Sequence, residues 1–357
     1  MDKKHERFLI VRLGAIGDII HTLPCADLLR KTYNKARIDW VVDEKNAKML
    51  AGNPNIDNVY TVPLKKWQSS WLKLETIKEI LEFGKKLKAN NYTWAFDLHG
   101  MFKSLVIMLF CGAKNRVVYT DYREFATFGG NVFVKPKAKR PYRNYSIIQR
   151  YLDLIQNSGL EYLDENYEPK SFLPYASKRV QEKITKALAN LNSNKKTIIF
   201  APKTTWDNKH WDKNEWRKLY QYLKNDYNIV FSGVMADLEL IGEIIDGDSA
   251  CVMAGKTNLE EYIELIRRAD LVISPDSSAS HIAWAVQDEN KKPQVVTIFC
   301  ATSKYTFSTP NALIFPKEDQ VCTPCHKRKC KFKHQNCTKQ TTAKEVYDAR
   351  VEVLTKN

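Results

Sequence analysis

The chain has 357 residues, 44% of them hydrophobic, and carries 56 Lys and Arg against 41 Asp and Glu, a formal net charge of +15. That length exceeds one ordinary core and predicts two domains; no apolar run reaches the roughly 18 residues of a membrane span, and FLIV stops at Arg12, too soon for a signal peptide. The expectation is a cytoplasmic protein whose basic excess selects an anionic partner (nucleic acid, a membrane surface, or a phosphorylated or carboxylated substrate) or is merely a solvated surface.

In chain order, FLIVRL (8–13) reads as a strand entering the loop LGAIGD, followed by a helix over 18–33. Only Gly14 and Gly17 are present, so the dinucleotide fingerprint GxGxxG is absent. Asp18 at the helix entry reads either as a cap on the helix dipole or as a general base taking a proton from a neutral hydroxyl, because a carboxylate there repels phosphate. ARIDWVVDE (36–44) and VYTVPL (59–64) read as strands, 74–91 as a helix ending in Asn-Asn, and YTWAFDLHG (92–100) as a strand. Its continuation, DLHGMFKS, puts Asp97, His99 and Lys103 at a second strand-to-helix junction, as substrate contacts or as an ordinary cap.

From about 130 to 175 the rhythm breaks into a basic, proline-interrupted stretch and then an acidic, turn-rich one, and the domain connection falls near 170–178. Strands follow at 195–203, 228–233, 250–255, 270–278 and 294–302, with helices at 213–225, 236–246, 258–268, from 279, and at 341–357. This alternation predicts a parallel sheet with helices on both faces in each half. Two such domains put a cleft between them, faced by the C-terminal ends of both sheets. In KTTWDNKHW, the Thr204 and Thr205 hydroxyls and the Lys209 ammonium suit a phosphate, or form a plain polar loop. In SPDSSASHIAWAV, with Asp276, Ser277, Ser278 and His281, first-turn N–H groups and hydroxyls make an anion site, or a serine cap above a buried histidine. Asp237 and Glu239 could reach ribose hydroxyls or form an acidic first turn.

Together and in this order, RLGAIGDIIHTLP, DLHGMFKS, TTWDNKHW and AGKTNLEEYIELIRRADLVISPDSSASHIAWA resemble glycosyltransferase family 9, which contains the bacterial ADP-heptose:lipopolysaccharide heptosyltransferases, over nearly the whole chain. The first and third stretches look most like the enzyme that adds the first inner-core heptose. The resemblance implies an α/β fold of the GT-B type: an acceptor-binding Rossmann-like domain over 1–175, a nucleotide-sugar domain over 176–340, and a helix over 341–357 returning to the first domain. It implies an inverting transferase with no cofactor required for catalysis. Asp18 is then the catalytic base, and Lys209 and the helix entry at 277–281 stabilise departing ADP. Thr204, Thr205, Lys209, Asp276, Ser277, Ser278 and His281 would bind the ADP-heptose donor. Gly17, His21, His99, Lys103, Arg140 and Arg143 would bind the acceptor, Kdo-lipid A or inner-core lipopolysaccharide, at the inner-membrane surface. Lys135, Lys137 and Lys139 would add charge for its carboxylates and phosphates. Ser278 stands where the family motif has glycine, which puts the donor's identity in question.

Cys322, Cys325, Cys330 and Cys337, with His326 and His334, have spacing close to a small metal site. A structural zinc, reduced thiols and disulfides all remain open for this cluster, and the resemblance adds a local structural role. The cluster and its flanking lysines also suit a rival class, a nucleic-acid-binding protein. A dehydrogenase is a third reading, against which the missing fingerprint counts.

Overall fold

The computed structural model describes residues 6–138, 145–164, 166–286, 293–302, 312–314 and 322–355. The chain divides into two compact units, Met1–Pro174 and Tyr175–Asn357, each with its own apolar core.

The first unit runs β1 (Arg7–Val11), α1 (Ile16–Thr32), β2 (Arg37–Asp43), β3 (Asn58–Val62), α2 (Leu64–Ser69), α3 (Leu74–Lys88), β4 (Trp94–Asp97), α4 (Phe102–Phe110), β5 (Asn115–Tyr119), β6 (Val132–Val134) and α5 (Ile147–Gln156). Its strands form one sheet in the order β3-β2-β1-β4-β5-β6, every pairing parallel. Strands covered on both faces read as continuous apolar runs rather than alternating ones. Phe8, Leu9, Ile10 and Val11 are accordingly all fully buried. Inside α1, Pro24 has no N–H for the Ile20 carbonyl, and the Ser171 hydroxyl donates to that oxygen at 3.1 Å instead.

The second unit runs α6 (Lys178–Ala187), β7 (Thr197–Phe200), α7 (Lys213–Leu223), β8 (Asn228–Phe231), α8 (Leu238–Ile245), β9 (Cys251–Val252), α9 (Leu259–Arg267), β10 (Leu271–Pro275), α10 (Ser278–Ala285), β11 (Gln294–Ile298), β12 (Ala312–Ile314) and α11 (Ala343–Thr355). Its sheet order, β12-β11-β10-β7-β8-β9, repeats the first unit's plan, again with parallel pairings throughout. Helix starts follow the residue types that satisfy free N–H groups. Asn258 and Glu261 exchange hydrogen bonds of 3.0 Å at the start of α9, and Asp212 accepts the Asn214 N–H at 2.8 Å before α7.

The sequence reading gives no element for α2, β5, β6, α5, α6 or the three-residue β12. β6 is equally short and sits between Gly-Gly-Asn and Lys-Pro, and α5 lies in a stretch dominated by its charges. The apolar face of α5, Ile148, Leu152 and Ile155, is nonetheless buried, and Ser146 caps it by accepting the Gln149 N–H at 3.4 Å. Of the C-terminal helix, read as returning to the first domain, Ala343 and Val346 are buried in the second unit's own core.

Candidate active site

A sheet of this strand order reverses direction between its first and fourth strands. Ligands bind where the loops leaving the C-terminal ends of those two strands part. Each unit has one such crossing, and the polar junctions noticed in the sequence fall on both.

In the first unit the crossing lies between β1 and β4. Arg12 closes the apolar β1 and is only 5% exposed. Its guanidinium donates to the Leu98 carbonyl and pairs with Asp18 Oδ2. The loop beneath is fixed by hydrogen bonds from Asp43 N and Asn46 Nδ2 to the Leu13 carbonyl, both 3.1 Å, and from Trp40 Nε1 to the Arg12 carbonyl, also 3.1 Å. Helix α1 starts at Ile16, two residues before the expected entry, so Asp18 sits in its first turn rather than at its cap. Asp18 Oδ2 also accepts the Ala15 N–H at 3.2 Å, so the capping reading holds in part. Its side chain is 43% exposed, and Oδ1 has no partner among the described residues. Burial works against its ionisation, but Arg12, then His21, outweigh it and hold the carboxyl below its ordinary value.

His99 and Lys103 arrive from the β4–α4 junction. Asp97 shapes that turn by accepting the His99 and Gly100 N–H groups and the Ser104 hydroxyl, each at 2.9 Å. Gly100 is required there: φ is +67°, and a Cβ would meet the Tyr122 ring at 2.4 Å. Burial pushes the Asp97 carboxyl up to about 6, with those hydrogen bonds opposing. Burial, then Arg12 and Lys103, pulls His99 down to about 3, so its imidazole is neutral. Both ring nitrogens of His99 are buried, with the Gly14 backbone as their near polar neighbour but no well-aligned hydrogen bond to a described residue. Structure thus brings Asp18, Gly17, His21, His99 and Lys103 to one crossing. Arg140, Arg143 and Lys139 lie outside the described residues. Lys137 is engaged by Asp153 at 3.1 Å, while Lys135 is exposed.

In the second unit the crossing lies between β7 and β10, and Asp276 is its centre. It is 3% exposed and its oxygens are saturated: Oδ2 accepts from Lys209 Nζ and Thr302 Oγ1, both at 2.7 Å, and Oδ1 faces His281 Nε2 at 3.3 Å. Burial opposes its charge, but Lys209 and then His281 overcome this and hold the carboxyl far below its usual range. Lys209 also donates to the Asp276 carbonyl at 3.2 Å and rests 4.8 Å from the Trp206 ring centre. The Thr204 and Thr205 hydroxyls hold no hydrogen bond to a described residue, although the Thr204 carbonyl meets His210 Nε2 at 2.7 Å. Ser277 precedes α10 with no side-chain cap, and Ser278 opens the helix in ordinary helical backbone, so this position needs no glycine. The Ser278 hydroxyl lies beside the Tyr262 phenol, which burial pushes up to about 12. Asp237 is a loop cap, accepting the Val234 N–H at 2.8 Å, and Glu239 is exposed.

The cysteine segment is stitched to this crossing. Asn208, 1% exposed, donates from its backbone to the Arg328 carbonyl at 3.3 Å and from Nδ2 to the Lys327 carbonyl at 3.1 Å. The His326 N–H donates to the Ala301 carbonyl at 2.8 Å, next to Thr302. Burial and then the neighbouring Cys325 and Cys322 raise the Cys337 thiol to about 11, and Cys322 Sγ lies 3.9 Å from His334 Nε2. The donors suit zinc chemically, but no group of three or more His, Cys, Asp or Glu among the described residues is arranged to hold a metal ion.

Sequence reasoning missed Arg12, Asn208, Trp206 and Thr302. The signals were an arginine ending an apolar strand and a threonine at a strand's C-terminal end.

The model of glycosyltransferase family 9, the heptosyltransferases, matches residues 80–336, and the chain belongs to that family. It is therefore a glycosyltransferase, which replaces the nucleic-acid-binding and dehydrogenase readings. It is 28% identical over 314 residues to lipopolysaccharide heptosyltransferase 1 of Campylobacter coli, covering 84% of this chain and 85% of that one. To the enzyme of the same name from Escherichia coli K12 it is 27% identical over 293 residues, 80% of this chain and 86% of the other. Its GT-B fold of two Rossmann-like domains is shared with an Escherichia coli heptosyltransferase solved with ADP-2-deoxy-2-fluoro heptose (TM-score 0.73, 22% identity, 97% and 99% of the two chains).

Proposed function

We propose that the chain transfers a heptose from ADP-heptose to the Kdo region of lipid A-linked inner-core lipopolysaccharide, with inversion, from the cytoplasmic face of the inner membrane. The observation that carries the reading is what the crossing of each unit presents. One presents an ionised, open carboxylate and the other an ammonium, two open hydroxyls and a helix start. The names of the relatives and the ligand of the solved heptosyltransferase support the choice of sugar and acceptor.

Asp18 Oδ1 takes the proton of an acceptor hydroxyl as its oxygen attacks the anomeric carbon and the bond to the diphosphate breaks. A carboxylate held below its usual range is a weak base, so it takes the proton only as the attacking oxygen turns acidic in the transition state. Arg12 keeps Asp18 ionised, and His21, His99, Lys103 and Gly17 frame the acceptor. Lys209 has three donors, two of them spent on Asp276, which leaves one for a phosphate oxygen. Negative charge grows on the leaving ADP, where Lys209, the Thr204 and Thr205 hydroxyls and the N–H groups at Ser277 and Ser278 stabilise it. Asp276 and His281 position Lys209. No catalytic metal is needed for this displacement.

The test is turnover with ADP-heptose and Kdo-lipid A, following ADP release and acceptor mass, beside Asp18→Asn. A gain of one heptose that the variant loses by about 10²–10⁴-fold supports the reading. A folded enzyme that adds no heptose to this acceptor overturns it.

A further inference from the structure

The first unit carries an exposed apolar face that sugar transfer does not use. On α3, Ile77 and Leu81, each 41% exposed, share a stripe with Gly84, where α4 seats so closely that a Cβ would lie 2.7 Å from Phe110 Cβ. On α4, Phe102 is 50% exposed, and Phe110, at the seam with α3, is 42% exposed. The Phe102 N–H donates to Glu124 Oε2 at 3.2 Å, which brings the next turn beside the start of α4. In that turn Phe125 and Phe128 are 72% and 74% exposed, their rings 6.2 Å apart. Glu124 and Phe125 both lie in the left-handed region, at φ 53° and 61°, a strained backbone that aims a bulky ring outward and gains it no burial within the chain. Scattered apolar side chains need no explanation, but exposed rings and aliphatic side chains gathered on neighbouring elements do.

Charge selects the occupant. Residues 64–138 contain thirteen Lys and Arg against six Asp and Glu. Lys78 and Lys85 are exposed on α3, and Lys103 follows Phe102. Two copies packed through this face would oppose like charge. An anionic bilayer instead takes the rings at its headgroup–acyl boundary and the ammonium groups on its phosphates. Among the described residues no helix is long and apolar enough to cross a membrane, so attachment by this face would be peripheral.

We propose that this face docks the protein on an anionic lipid surface. The purpose rests on the lipid-linked acceptor proposed above, since α4 also carries Lys103 and follows His99; the geometry does not. The test is cosedimentation of the full chain with phosphatidylcholine vesicles and with phosphatidylcholine–phosphatidylglycerol vesicles, without sugar acceptor and over a salt series. Binding to the mixed vesicles that weakens with salt is expected. Phe125→Ser/Phe128→Ser should lower it by at least about tenfold, while transfer to a delipidated, water-soluble acceptor is unchanged. Failure of the wild-type chain to bind the mixed vesicles, or equal binding by the variant, overturns the proposal. So does self-association in sedimentation velocity that the variant abolishes, which would assign the face to a second copy. Vesicle binding without heptose transfer to any acceptor would sink the transferase substrates and leave the docking face standing.

Discussion

Lys209→Met isolates the electrostatics of the second crossing. It removes an ammonium that is 16% exposed from a carboxylate that is 3% exposed. Stranding one member of a buried pair costs about 3–5 kcal/mol; Thr302 and His281 still donate to Asp276, so the lower end, about 3 kcal/mol, is expected. The pH dependence should also reverse. In the native chain the Asp276 carboxyl lies below its unfolded value, so its stabilisation is present above about pH 4 and is lost only as pH falls through the folded value. Removing Lys209 should leave burial the stronger influence and carry the folded value above the unfolded one. The folded state then binds the extra proton, and stability falls as pH rises from about 4 toward neutral. Hydrogen exchange by mass spectrometry on peptides from β10 and α10, corrected for intrinsic rates, reads the local opening free energy. The variant should lose more at about pH 8 than at about pH 5, and adding Asp276→Asn should restore most of the loss. An equal loss at both pH values, or no rescue by the second substitution, refutes the reasoning.

Arg12→Lys loosens the hold on Leu98 and Asp18, so the acid limb of the kcat/KM profile should move to higher pH; an unmoved limb would show that Arg12 does not set the state of Asp18. The Asp97 carboxyl, raised to about 6, binds more protons folded than unfolded, so its destabilising effect is absent below about pH 4 and complete above about 6. Asp97→Asn should therefore gain about 2 kcal/mol in urea unfolding at neutral pH, and a loss there would contradict this. Asn208→Ala releases the Lys327 carbonyl and frees the loop bearing Lys209. Donor KM should rise about tenfold with kcat nearly kept, as for one lost buried hydrogen bond; the opposite split would place Asn208 elsewhere in the cycle.

Both parallel sheets could be anticipated because their strands bury both faces and so appear as unbroken apolar runs. The four polar junctions were legible because each follows such a run directly. Strand order was not readable from spacing, and it is the order that brings Asp18 to His99 and Thr204 to Asp276. Arg12 escaped notice because, along the sequence, it only interrupts an apolar run; its role appears once Leu98 is beside it. Asp276 reads as a donor contact in the motif, yet its oxygens are taken by Lys209, Thr302 and His281, a saturation that depends on residues 67, 26 and 5 positions away. Helix α5 was hidden by charges that its neighbours balance: Asp153 takes Lys137, and Asp121 takes Arg150 at 2.6 Å.

The twin topology has a consequence for how this enzyme can change. The carboxylate hangs on a core containing Leu9, Val11 and Met108, and the ammonium on another containing Phe200, Trp216 and Ile273. Substitutions in separate cores with no shared partners add in free energy. Either half can therefore accumulate changes without spending the other's stability margin. Under the roles proposed above, preference for the sugar nucleotide and preference for the receiving sugar would become separately heritable traits, and exchanging the segment before Pro174 between relatives should move one without the other.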